Sequence, residues 1–286
     1  MSYCLPANSK VRFIALRISN INQMVDFYTK VIGLSLIRRT EKEAYLGIPS
    51  QKRIFISLRE IDNPSKNRQV PNLKSFSLVL PNCKNLKQNL VHINNLGIKI
   101  PRIEINPDFN RFYLTDPEGN RIYVVAPTKS CTSDVIKRMK WLDLKFKPVT
   151  LSNYLKDFNV KRNLLPETTR FGWIKLQVND LKRSLDFYQN QLGLLSQVDS
   201  RQHQAVLISK GDHHQQFILK QADNLNQRNF KTLGLSYFDV HLIGPNDISQ
   251  LAQHLKMSKI DCQYSPANHF IFVQDPDRIG ITFSML

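Results

Sequence analysis

Few residues in this chain of 286 have types and spacing that could do chemistry, and one group of them lies on a predicted strand, Leu235–Leu242. Tyr237, Asp239 and His241 alternate along that strand, which places their side chains on one face. An aspartate and a histidine on one inward face could orient a polar ligand or hold a metal ion. A simpler interpretation is an internal ion pair between Asp239 and Arg17, which a facing strand would supply.

A second group is the adjacent pair His213 and His214. A histidine can act as a proton shuttle near neutral pH, whereas the alternative is a solvated hairpin turn. We interpret His92, His254 and His269 as structural, because they lie on predicted helices or on an ordinary strand. The sequence shows no glycine-rich phosphate loop, no Cys-x-x-Cys pair and no Ser-His-Asp order.

The elements that must position these residues are repeated along the chain. The pair Phe27–Tyr28 and the following Gly33 recur 160 positions later as Phe187–Tyr188 and Gly193. Self-similarity at one fixed offset indicates a duplicated unit. In each copy an alternating strand leads into a helix that carries the aromatic pair, and the helix ends at the glycine.

Hydrophobic periodicity predicts four βαβββ modules, two in each of the two repeat units. The first module combines strand Val11–Ser19 and helix Ile21–Val31 with the strands Leu34–Arg39, Glu43–Gly47 and Ile54–Arg59. A weaker copy begins with strand Lys74–Leu80, and the third and fourth copies begin near Trp173 and Leu235. Turn signals at Asp116 and Asp275 close the second and fourth modules.

The predicted fold class is therefore α+β, with four βαβββ modules in two tandem domains. We expect an N-terminal domain over residues 10–127, a connector over 128–169 with one short helix near Leu151–Phe158, and a C-terminal domain over 170–286. The modules could pair within each half of the chain. Alternatively, the first module could pair with the fourth and the second with the third.

Together these motifs resemble the vicinal-oxygen-chelate superfamily, which includes glyoxalase I, bleomycin-resistance proteins and extradiol dioxygenases. The resemblance covers roughly residues 10–286 and rests on the Phe-Tyr helices, the Gly-Leu stops and the turn Asp116-Pro-Glu-Gly-Asn. The four-module layout, the segment Gly211-Asp-His-His and the ending Ile281-Thr-Phe resemble two-domain catechol 2,3-dioxygenases in particular. The resemblance implies that the modules form incomplete barrels, or cups.

The resemblance also implies a metal site, built from a histidine on the first strand of each of two modules and a glutamate on a last strand. Such a set leaves open positions on iron for a catechol and dioxygen. In this chain the corresponding positions hold Phe13, Ser75, Trp173 and Tyr237 on first strands, and Tyr123 and Thr282 on last strands. A register two residues later gives Ala15, Ser77, Lys175 and Asp239, and still no triad. We therefore expect no metal, and Fe(II) or Mn(II) only if the chain is a dioxygenase.

Other site residues follow from the same resemblance. Tyr113 matches the family tyrosine that hydrogen-bonds a substrate oxygen, although it could simply pack inside the cup. His214 resembles the general acid–base histidine, in a register that could place Gln216 there instead. We take Tyr113 and His214 as catalytic candidates, and as ligand-binding candidates Ser75, Tyr123, Trp173 and Lys175.

The composition limits the class of partner. The net charge is +17, but the 40 lysines and arginines are dispersed, which indicates a basic solvated surface that would help an anionic ligand. We do not expect a nucleic acid partner. No apolar run is long enough for a membrane span, residues 1–10 do not resemble a signal peptide, and the four cysteines are isolated. We therefore expect a cytoplasmic protein with reduced thiols.

Three functions agree with these observations. The first is a metal-free member of the superfamily that binds a small aromatic or anionic molecule in a cup. The second is an oxidoreductase, an extradiol ring-cleaving dioxygenase of the catechol 2,3-dioxygenase type. The third is an interaction protein with a basic docking surface. The sequence specifies neither the identity of a ligand nor the oligomeric state.

Overall fold

The computed structural model describes the chain except residues 1–2, 8, 52, 66, 68, 129–144, 157, 161–163, 210–216 and 286. The helices of this described part are α1 (Ile21–Asp26), α2 (Cys83–Asn95), α3 (Leu151–Tyr154), α4 (Leu181–Asp186) and α5 (Pro245–Met257). None of them is long and apolar enough to cross a membrane.

The strands form two mixed sheets. In order across the first sheet they are β15 (Cys262–Ser265), β16 (Phe270–Gln274), β17 (Gly280–Ser284), β14 (Gly234–His241), β1 (Lys10–Ile18), β4 (Arg53–Glu60), β3 (Glu43–Ile48) and β2 (Ser35–Arg39). In order across the second they are β11 (Leu195–Asp199), β12 (Gln204–Ile208), β13 (Phe217–Gln221), β10 (Arg170–Val178), β5 (Asn72–Val79), β8 (Arg121–Pro127), β7 (Phe109–Thr115), β6 (Ile103–Ile105) and β9 (Lys147–Val149).

Each sheet joins a module from the first half of the chain to one from the second half. Strand β1 pairs antiparallel with β14, and β5 pairs antiparallel with β10. The first module therefore pairs with the fourth and the second with the third, which decides between the two arrangements that the sequence allowed. The tandem domains over residues 10–127 and 170–286 stay a prediction.

Alternation along the strands separates a core face from an open face. On β8 the residues Ile122, Val124 and Ala126 are fully buried, whereas the alternate residue Tyr123 is half-buried. Helix α2 packs against β7 and β8, and α1 packs against β3 and β4. The face of each sheet away from its helices is called its cup here: the first cup belongs to the first sheet and the second cup to the second sheet.

Two local features depart from the predicted modules. The single helix expected over Ile21–Val31 changes after Asp26 into a turn of π-helix, Phe27–Ile32. Helix α4 is likewise followed by a turn of π-helix, Phe187–Gln191. Helical periodicity in the sequence does not separate these two helix types. The connector helix α3 ends at Tyr154 and is shorter than predicted.

Candidate functional site

The first cup contains a buried carboxylate that is neutralised by an arginine. The side chain of Asp239 is only 2% exposed, and its Oδ2 lies 3.0 Å from Nε of Arg12. Thr282 Oγ1 and Ser284 Oγ donate to Asp239 Oδ1 at 2.8 and 2.9 Å. Burial raises the pKa of Asp239, and the Arg12 charge and the two hydroxyl groups oppose that rise.

The predicted ion pair between Asp239 and Arg17 is wrong. Arg17 instead donates to the backbone carbonyl of Asn229 at 3.2 Å. The pairing of β1 with β14 shifts register between Val11 and Phe13, so that Phe13 lies opposite Asp239. This β-bulge interrupts the regular alternation at Arg12; strict alternation along the strand would put Arg12 and Phe13 on opposite faces.

The other residues predicted to share this face also have new surroundings. The rings of Phe13 and Tyr237 meet edge to face, with centroids 5.9 Å apart. His241 is half-buried, and its Nδ1 has no hydrogen-bond partner among the described atoms. No group of three or more His, Cys, Asp or Glu side chains suited to a metal ion occurs within the described part of the chain.

The second cup brings together three aromatic rings that the sequence singled out. Tyr113 lies opposite Tyr123 in the register of β7 and β8, with ring centroids 5.6 Å apart. The Tyr123 ring is 5.2 Å from the ring of Trp173 on β10. The backbone N–H of Trp173 donates to Ser77 Oγ at 2.9 Å, which ties β10 to β5 at a second register shift. All three rings are half-buried and thus face the solvent-accessible side of the sheet.

Lys175 lies beside these rings in a strongly basic environment. It is half-buried opposite Ser75, and its Nζ donates to Gln204 Oε1 at 3.2 Å. Burial is the main cause that lowers the pKa of Lys175. The neighbouring cations lower it further, in the order Lys220, Lys74, Arg111 and Arg121.

Two of these four cations, Arg111 and Arg121, also lie over the tyrosine rings. The guanidinium carbon of Arg121 is 4.4 Å from the ring centroid of Tyr113, and that of Arg111 is 5.0 Å from the ring of Tyr123. Both distances allow cation–π attraction. Arg111 is also paired with Glu104 at 2.6 Å, and Glu104 has a second arginine partner, Arg102, at 3.1 Å.

The predicted site residues thus meet in one place, with one exception. Tyr113, Tyr123, Trp173 and Lys175 share the second cup, and Ser75, which is 3% exposed, lies opposite Lys175 in its floor. His214 and the alternative Gln216 lie outside the described residues. Sequence reasoning missed Arg111, Arg121, Gln204 and Lys220. The signal for the two arginines was available, because each lies two residues before a cup tyrosine on the same strand.

The residues at the implied metal-ligand positions do not fit the family's metal. In the first cup these positions hold Phe13, Tyr237 and Thr282, and in the second Ser75, Trp173 and Tyr123. Rings and neutral hydroxyl groups replace the two imidazoles and one carboxylate that would bind iron or manganese. The nearby carboxylate of the first cup, Asp239, already has a cationic partner in Arg12.

Paired βαβββ modules in two mixed sheets define the class of protein to which this fold belongs. The sequence model of the Glyoxalase/Bleomycin resistance protein/Dioxygenase superfamily matches residues 10–124 and 170–283. The chain therefore belongs to this superfamily, and both the resemblance drawn from the sequence and the predicted α+β fold are confirmed.

Individual relatives agree with this assignment. The chain is 27% identical over 256 residues to a Catechol-2,3-dioxygenase of Bacillus subtilis (strain 168), which covers 87% of this chain and 88% of that protein. A putative dioxygenase of B. subtilis has a similar structure, with a TM-score of 0.64, 15% identity and coverage of 100% of this chain and 86% of that one. The cppA protein of Streptococcus pneumoniae TIGR4 has a TM-score of 0.57 and 12% identity, with coverage of 98% of this chain and 100% of that one. Glyoxalase I of Zea mays has a TM-score of 0.57 and 14% identity, with coverage of 97% of this chain and 92% of that one. At these identities the structural similarities show the shared fold alone.

Proposed function

We propose that this protein binds a small aromatic anion in the second cup without the metal of its superfamily. The observation that carries the proposal is the environment of Lys175. The four charged side chains with the largest effect on its pKa are all cations. Arg111 already pairs with Glu104, and a bound carboxylate or phenolate would add negative charge beside the other cations, in partly desolvated surroundings where such an interaction is strong.

The rings beside Lys175 favour an aromatic ligand. Tyr113, Tyr123 and Trp173 present half-buried faces and edges to the cup. Aromatic ligands gain offset-stacked or edge-to-face contacts with such rings, in addition to the burial of apolar area. Ligand sites commonly combine an apolar lining with a few oriented polar groups, and Lys175 and Gln204 have that role here.

The metal-free part of the proposal rests on the donor chemistry of the six positions described above. Without a cation, a carboxylate at one of them would be a costly buried charge, whereas rings and hydroxyl groups fill the volume without charge. The cup would therefore bind its ligand through charge and ring contacts rather than through chelation. Tyr113 would orient a ligand oxygen.

Trp173 provides a direct test, because the chain has only one other tryptophan, Trp141. In a W141F background, benzoate should quench the fluorescence of Trp173 in a saturable manner. K175M should weaken this binding by roughly 10- to 100-fold, which is the loss of about one charge-assisted hydrogen bond. K182M removes an exposed lysine on α4 and serves as the matched control. Unchanged affinity in K175M, or no saturable binding by the unmutated cup, would contradict the proposal.

The sequence relationship to a catechol 2,3-dioxygenase favours a second candidate function, extradiol ring cleavage of the catechol type. Metal analysis of protein purified without chelators separates the two. Iron or manganese in near-stoichiometric amount, together with a yellow product from catechol, would refute metal-free binding. A third outcome, salt-sensitive binding of DNA or RNA without benzoate binding, would favour an interaction protein with a basic surface.

A further inference from the structure

A cavity of about 160 Å³ lies apart from the aromatic rings of the second cup and from the Arg12–Asp239 pair of the first. It lies where the end of β10, the segment before β14 and the turn between β16 and β17 meet. The polar side chains that line it are Asn179, Arg183, Gln227, Arg228, Asp277 and Arg278. Three of these six carry a positive charge and one carries a negative charge.

Arg228 is a buried cation that forms no ion pair with a carboxylate among the described residues. It is only 4% exposed, and it donates to the backbone carbonyls of Pro71 (2.5 Å) and Leu235. Burial, followed by the repulsion from Arg17, lowers the pKa of Arg228 to about 10, so it stays protonated at neutral pH. Neutral carbonyl oxygens orient this guanidinium, and the carboxylates of Asp275 and Asp277 offset burial and the Arg17 charge only in part, since the net shift of the Arg228 pKa is downward.

Arg183 and Arg278 are exposed and line the same cavity. Among the described residues, neither forms an ion pair. The carboxylate of Asp277 is occupied by its own partner, since it accepts from the backbone N–H of Asn179 at 3.0 Å and from the Asn179 amide at 3.1 Å. The side chains that line the cavity therefore have an excess of two positive charges.

The backbone of Arg278 adds an independent observation. Its φ is +61°, in the left-handed region that non-glycine residues rarely adopt. The equivalent turn of the second module has Gly119 at this point, with a φ of +90°. The fourth module thus has an arginine where glycine would be unstrained.

The repeat supplies an internal comparison for these charges. The contact of Asn179 with Asp277 has a counterpart in the first half, where Ser19 donates to Glu118 from its backbone N–H and its hydroxyl at 2.8 and 2.6 Å. The scaffold contact is therefore duplicated. Two of the three arginines are not, because the position equivalent to Arg183 is Gln23 and the position equivalent to Arg278 is Gly119. The equivalent contact of the first half thus forms without an arginine at either position.

We propose that this cavity binds a small oxyanion of the phosphate type, either inorganic phosphate or a phosphomonoester. Guanidinium groups bind phosphate through paired hydrogen bonds. Three of them on separate chain segments suit a tetrahedral dianion better than a planar monoanion. The cavity also has room for several water-sized groups.

Calorimetric titration of the full chain with inorganic phosphate at low salt tests this proposal. We expect saturable binding at one site. R278G and R183Q, which restore the residues of the first half, should each reduce the affinity at least tenfold. R278G relieves the left-handed strain, so its thermal stability should be equal or higher, and a loss of binding cannot be attributed to unfolding. K182Q, which removes an exposed charge next to Arg183, should change the affinity less than twofold.

Two further titrations distinguish inorganic phosphate from a phosphomonoester as the ligand, and this cavity from the second cup as the site. Binding of methyl phosphate as tight as that of inorganic phosphate would identify a phosphomonoester site, and weaker binding would identify free phosphate. K175M should leave phosphate binding unchanged, so this proposal can fail or succeed independently of the second cup. No saturable phosphate binding, equal affinity in R278G and R183Q, or tighter binding of malonate than of phosphate would overturn it.

Discussion

Replacing Arg12 by methionine is expected to destabilise the protein by about 3 kcal/mol, because it leaves the Asp239 carboxylate buried without its cation. The side chains of the pair are 28% and 2% exposed. Removing one partner of a buried pair costs roughly 3–5 kcal/mol. The hydroxyl groups of Thr282 and Ser284 still donate to Asp239 in the variant, so the lower end of that range applies.

The loss has a characteristic dependence on pH. Burial already raises the pKa of Asp239, and removing Arg12 raises it further. A carboxyl whose pKa is higher in the folded than in the unfolded state contributes stability at low pH, and this is lost as the pH rises through the folded-state pKa. The deficit of R12M should therefore be largest near neutral pH and smaller in mildly acidic buffer.

Urea denaturation and thermal melting measure both effects. We expect a drop in Tm of about 5 °C for a loss of about 3 kcal/mol in a chain of this size. Adding D239N to R12M removes the buried charge and should recover at least half of the loss. R201M, at an exposed turn, is the matched control and should stay within about 0.5 kcal/mol. A loss below about 1 kcal/mol in R12M, or no recovery in the double variant, would refute the reasoning.

Three further predictions concern other buried or half-buried groups. Burial raises the pKa of Asp275 from 3.8 to about 7, so the stability linked to this carboxyl is lost as the pH rises from about 4 through 7. D275N should flatten that part of the pH profile of the free energy of unfolding, measured with urea. An unchanged slope would contradict the raised pKa of Asp275. Gly234 has a φ of +94°, and a Cβ at this position would lie 2.5 Å from the side-chain amide of Asn72. G234A should therefore lose about 2 kcal/mol of stability in urea denaturation. Unchanged stability would exclude this close approach of Asn72 to Gly234. The pKa of Lys175 is lowered, so the free energy of unfolding rises with pH between that pKa and 10.5. K175M should lack this rise and should be at least as stable as the unmutated protein at neutral pH. Lower stability of K175M would show that the protein compensates the charge of the Lys175 ammonium group.

The repeat was readable from sequence because its signals are local. Phe27–Tyr28 and Phe187–Tyr188 recur with their glycine stops, and the Asp116 and Asp275 turns recur with them. The structure shows what this repetition positions. Tyr28 donates to Asp116 at 2.7 Å, and Tyr188 donates to Asp275 at 3.1 Å. Each bond joins motifs from two modules, and local patterns do not indicate such contacts.

The aromatic and basic content of the second cup was partly predictable. The resemblance singled out Tyr113, Tyr123, Trp173 and Lys175 as site candidates, and in the structure their side chains lie on the half-buried face of the second sheet. The concentration of positive charge around Lys175 was not predicted, because it comes from strands that are far apart in the sequence and meet only when the second and third modules pair.

The sequence by itself determined the four modules, the superfamily and the absence of histidine and glutamate from the six implied ligand positions, since these depend on residue identity and local periodicity. Only the tertiary structure decided how the modules pair, that Arg12 rather than Arg17 neutralises Asp239, and that three arginines line one cavity. The physical reason is that a β-bulge and a cross-module cavity depend on which strands and turns meet in space. Side-chain alternation along a single strand contains no information about that meeting.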